Sequence, residues 1–88
     1  MEYEGVVITT KGIAYHDAKI LNASHDDDGI WQFLEGSDVE LIEDEAIITS
    51  LDEILHIDPT LMEILSLPIG SRAFRNNVGS QWVLTNDN

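Results

Sequence analysis

The chain has no cysteine, only two prolines, and only four lysines and arginines among 88 residues. Without cysteine there is no disulfide framework and no thiolate zinc centre. Without a basic surface there is no electrostatic footprint for a nucleic-acid backbone or an anionic membrane, both of which would repel most of this protein. No run approaches the roughly 18 apolar residues that span a bilayer. The N-terminal Met1-Glu2-Tyr3-Glu4 is acidic where a signal peptide would be basic, so the expected compartment is the cytoplasm. The six glycines are dispersed and form no phosphate-cradling loop.

What the chain does have is carboxylate. Seventeen Asp and Glu give a net charge of -13, and between Lys19 and Arg72 there is no Lys or Arg at all. That span holds Asp26, Asp27, Asp28, Glu35, Asp38, Glu40, Glu43, Asp44, Glu45, Asp52, Glu53, Asp58 and Glu63. Self-repulsion of this size does not help a chain fold. It fits solubility, repulsion of nucleic acid, or a basic partner. Hydrophobic residues nevertheless make up 43%, enough for one modest core, so residues 1–88 read as a single acidic domain.

Val6-Val7-Ile8-Thr9-Thr10 is a β-branched strand that Lys11-Gly12 ends. Lys19–Ser24 and Ile30–Leu34 flank the turn cluster His25-Asp26-Asp27-Asp28-Gly29, which suggests a hairpin with Trp31 and Phe33 on one face. Residues 36–45 form an acidic connection with Val39, Leu41 and Ile42 as apolar anchors, and Ala46–Thr49 reads as a short strand. Ser50 and Glu53 have capping-box spacing, and Asp58-Pro59 is a second helix start. Ala73-Phe74 and Gln81–Leu84 close the chain as two strands. The expected fold is α+β: a mostly antiparallel β-sheet with two short consecutive helices, about 50–57 and 58–66, between N- and C-terminal strands.

Three constellations invite chemistry. From Ser24 to Glu35, acids at the third, fifth and twelfth positions (Asp26, Asp28, Glu35) and Gly29 at the sixth match much of a calcium loop. Against that, Ser24 holds the first ligand position and the flanks read as strands, so a solvated hairpin turn explains the same residues. His16, His25 and His56 are scattered and form no metal set. Ser24-His25-Asp26 contains the residue types of a catalytic group, but strand alternation sends Ser24 and His25 to opposite faces. No cofactor is implied and the expectation is a protein that is not an enzyme. The segment that best suits recognition is 37–45, where Asp38, Glu40, Glu43, Asp44 and Glu45 surround the apolar anchors and would face a basic protein partner. Arg72 and Arg75 most simply offset nearby carboxylates. The chain would be a monomer or a weak homodimer paired through an open sheet edge.

Two blocks resemble one group of proteins. Asp28-Gly29-Ile30-Trp31-Gln32-Phe33-Leu34-Glu35-Gly36 is similar to an aromatic strand of the form D-S/G-x-W-x-F-x-x-G. The stretch from Asp58-Pro59 through Leu61, Pro68 and Gly70-Ser71 to Arg75, with Trp82 following, looks like the ending of the same proteins. They are small bacterial proteins first described as a domain of unknown function and later grouped among the immunity proteins of polymorphic toxin systems. The likeness runs over residues 26–83. It implies a shared fold and a toxin-neutralising role, but it carries over no binding residues. Around residues 37–46 the spacing differs from the family's, so the partner's identity does not follow from it. The alternative is an accessory or self-associating domain, with metal binding at 24–35 as a further option.

Overall fold

The computed structural model describes residues 5–36 and 43–84. They form β1 (Val6–Thr10), α1 (Lys11–Tyr15), β2 (Asn22–His25), β3 (Trp31–Leu34), a 3₁₀ turn (Glu43–Glu45), β4 (Ala46–Ser50), α2 (Leu51–Ile57), a 3₁₀ helix (Pro59–Glu63), β5 (Arg72–Phe74) and β6 (Val83–Leu84). The strands make one mixed sheet in the order β4-β1-β3-β2-β5-β6. Every pairing is antiparallel except β1 with β3, which are parallel with Val7 opposite Trp31. The fold class is therefore α+β with a sheet-dominated composition, as the sequence suggested.

One face of the sheet carries the core. Val7, Ala23, Trp31 and Phe33 are buried against Ile54 of α2 and Leu61 and Ile64 beyond it, with Ile13 and Ile20 closing the cluster. Trp31 and Phe33 stack at 5.7 Å between ring centroids, on the shared face that a two-residue period demands. Thr9 is fully buried and donates its hydroxyl to the Phe33 carbonyl at 3.0 Å, tying β1 to the end of β3.

Two elements differ from the sequence reading. Lys11-Gly12 does not simply end β1: it opens α1, because Thr10 caps that helix by accepting from the Ile13 N–H at 3.1 Å. Thr10 in turn donates to Glu35 at 2.6 Å, and a methyl group at position 12 would collide with that carboxylate. Glycine is thus admitted into a helix by close approach of a side chain. The second difference is the helix expected at about 58–66, which is a 3₁₀ helix over Pro59–Glu63. Its bonds run from Leu61 N–H to Asp58 C=O and from Ile64 N–H to Leu61 C=O, and a turn closed by Leu67 N–H to Ile64 C=O follows it. Leu61 is buried within it and the caps Asp58 and Ile64 are buried on either side, a spacing of three that matches the 3₁₀ period.

Asp58 and Arg75 hold the helical layer to the far half of the sheet. Arg75 Nη2 donates to Asp58 Oδ2 at 2.5 Å, Nη1 donates to Thr60 Oγ1 at 2.8 Å, and Nε donates to the Ile20 carbonyl at 3.0 Å. The guanidinium also lies 4.3 Å from the centroid of a Trp82 ring. Asp58 Oδ1 accepts from the Thr60 N–H and hydroxyl. A buried charge pair tolerates desolvation only when its remaining donors and acceptors are filled this way.

Candidate functional site

The acidic segment expected to serve recognition, residues 37–45, ends in a 3₁₀ turn that leads into β4, the edge strand of the sheet among the described residues. Asp38 and Glu40 lie outside the described residues. Glu43–Glu45 wind into the 3₁₀ turn that delivers the chain into β4, and Asp44 and Glu45 are exposed there. At the other end of β4, Ser50 accepts from the Glu53 N–H at 3.1 Å and caps α2, whose first turn exposes Asp52 and Glu53. Acids are favoured at that position by the unpaired N–H groups of a helix start. Both ends of the strand are therefore acidic.

Little in the described structure neutralises this charge. Among the described residues the one ion pair is Arg75 with Asp58, and it is internal: the two side chains are 1% and 8% exposed. Arg72 is exposed on β5, four strand spacings from β4, or about 19 Å. That exceeds the roughly 8 Å screening length at physiological ionic strength. Arg72 acts instead on Asp26, whose carboxyl it helps to hold down against a larger opposing effect. Partial burial, with smaller contributions from Asp28 and Asp27, lifts Asp26 above its ordinary value of 3.8. Lys11 is exposed and follows Thr10, the partner of Ala46, which places a cation beside the start of β4.

The calcium-loop residues are not brought together. Asp28 Oδ1 accepts from the Ile30 N–H at 3.0 Å, and Gly29, at φ 86°, completes the turn between β2 and β3. Glu35 lies beyond the opposite end of β3, bonded to Thr10, with four strand residues between the turn region and itself that span on the order of 13 Å. The option of a site formed by Asp26, Asp28 and Glu35 is corrected by that strand, which holds the last acid away from the first two. Among the described residues no group of three His, Asp or Glu side chains converges to hold a metal ion.

Ser24 and His25 point to opposite faces, as alternation requires. Ser24 Oγ bonds Asp26 Oδ1 at 3.4 Å, while His25 stacks on Trp31 at 4.4 Å. The His25 ring nitrogens meet two carbonyls, Leu67 O at 2.9 Å and Gly29 O at 3.3 Å, so the imidazole fastens the β2–β3 turn to the segment before β5. Beside it an open depression of about 140 Å³ is lined by Ser24, His25, Asp26, Asp27, Gly70, Ser71 and Arg72.

The feature that sequence reasoning located only in general terms is the edge itself. Ala46–Ser50 contains no Lys and no Pro, the usual protections of an exposed strand, and that signal is visible in the sequence. In comparisons with known proteins the chain matches no family model, no curated protein and no solved structure.

Proposed function

We propose that this protein is a non-enzymatic, acidic binding domain of the immunity type, which neutralises a basic bacterial toxin domain by covering its cationic surface. The observation that carries this reading is the disposition of charge. The only ion pair among the described residues is spent inside the fold, which leaves Asp44, Glu45, Asp52 and Glu53 exposed around one edge of the sheet. The resemblance of residues 28–36 and 58–75 to immunity proteins supports the same reading. A toxin that acts on nucleic acid needs a basic surface to hold phosphate, and an acidic inhibitor gains association rate on such a surface by a factor of roughly 10 to 10³.

Capture by the tagged protein from lysate of its source organism, at low and high salt, tests the proposal. A basic toxin domain retained at low salt and released by high salt is the expected result. Retention of a partner without basic character, or affinity unchanged when Glu43, Asp44 and Glu45 are all reversed to Lys, would sink it.

A further inference from the structure

The phase of the β1–β4 ladder can be read from one bond. The Leu51 N–H donates to the Gly5 carbonyl at 2.9 Å, and the register pairs Val7 with Thr49 and Thr9 with Ile47. An antiparallel ladder alternates bonded and non-bonded pairs. Gly5–Leu51, Val7–Thr49 and Thr9–Ile47 are therefore the bonded pairs, and the N–H and C=O groups of Ala46 and Ile48 point away from β1. Among the described residues β1 is the only strand neighbour of β4, so these groups form an open edge. Ile48 is 72% exposed, on the sheet face opposite the core, and Val6 of β1, which pairs with Ser50 on the same face, is 55% exposed. An edge with outward backbone groups, apolar side chains and no bulge, Pro or Lys is a template for strand addition.

Charge decides what fits the template. A second copy would bring Asp44, Glu45, Asp52 and Glu53 against their own equivalents, in a molecule of net charge -13. Like charges placed opposite each other across strands are destabilising. An extended segment with basic and apolar residues in alternation would meet the carboxylates at both ends of β4 and lay an apolar side chain against Ile48. We infer that the outer edge of β4 docks an extended, basic segment of a partner protein by antiparallel or parallel strand addition through Ala46 and Ile48. The inference rests on the reading above, that the partner is basic, and adds the mode of recognition: main-chain bonds supply affinity and alternate side chains supply selectivity.

The test uses a short capped peptide of alternating lysine and valine. Its companion has the same sequence, with N-methyl groups on the alternate amides that would face the edge. Both are titrated into the isotopically labelled full chain at about 0.01 M ionic strength, where the screening length is about 30 Å. The expected result is shifts and slowed exchange of the Ala46 and Ile48 amides with the unmodified peptide. The N-methylated peptide should bind roughly fivefold to tenfold more weakly, as expected from the loss of one or two net hydrogen bonds. Equal binding of the two peptides, or shifts elsewhere with Ala46 and Ile48 silent, overturns strand addition while leaving a charge-driven basic partner in place. Binding unaffected by Asp44→Lys with Glu45→Lys overturns the acidic reading beneath it. Absence of binding by either peptide overturns the docking site, and so does a peptide-free dimer, seen by sedimentation, that protects Ala46 and Ile48.

Discussion

Asp26 shows how a single carboxyl in this protein works against the fold. Its folded pKa is raised by burial, so the native state holds this proton more tightly than the unfolded chain does. Stability then falls as pH rises from 3.8 through the raised value, and the penalty is fully present at neutral pH. Asp26→Asn should therefore unfold at a higher urea concentration than the parent at pH 7, with the difference vanishing below pH 3.8; a variant equally stable at both pH values would refute the assignment. Asp26 was legible in the sequence as a turn residue, but its burial was not, because that depends on the pairing of β2 with β5. Arg75 was visible only as a cation after an acid-only span. That it fills one site with Asp58, Thr60 and the Ile20 carbonyl follows from contacts 15 to 55 residues apart, which no local pattern encodes.

Among the elements, the strands were easy to place because β-branched and aromatic runs between turn residues leave few alternatives. The hairpin of β2 and β3 and the start of α2 at Ser50 followed from local chemistry alone. The 3₁₀ helix at Pro59–Glu63 is shorter than the helix its sequence suggests, because Asp58-Pro59 starts either kind equally well. The three-residue spacing of buried Asp58, Leu61 and Ile64 emerges only with the structure, because Asp58 is buried through Arg75. This element is fastened to β5 through the charge pair, and the cost of unfastening it is large. Arg75→Met or Asp58→Leu alone should destabilise by about 3–5 kcal/mol, since each leaves an uncompensated buried charge. Against a total of about 5–15 kcal/mol for a domain, either variant approaches the limit of folding. The double variant should recover most of the loss in urea unfolding. If the double variant is as unstable as the sum of the two singles, the pair is not the coupled unit described here.

For the molecule as a whole, charge sets the response to solvent. Its principal dimensions are 32, 31 and 26 Å, so at about 0.01 M ionic strength, with a screening length of about 30 Å, almost every carboxylate acts on every other. At about 0.15 M the reach shrinks to about 8 Å and most of that repulsion is removed. Thermal unfolding should accordingly occur at higher temperature as salt is added, whereas a flat or falling midpoint would mean that the carboxylates are already neutralised within the fold. Sequence showed this net charge completely, but the missing Lys and Pro of Ala46–Ser50 did not by themselves mark that strand as the free edge, because strand order is a property of long-range pairing. The same strand order carries a consequence for synthesis. β1 lies between β3 and β4, both made after it, and Asp58 leaves the ribosome before the arginine that will neutralise it. The hairpin of β2 and β3 can form at once, but β1 waits for both neighbours, and the helical layer waits for β5 and Arg75. A nascent chain of this protein therefore stays unsealed until β5 is made, and in that interval its bare strands are open to chaperones and proteases alike.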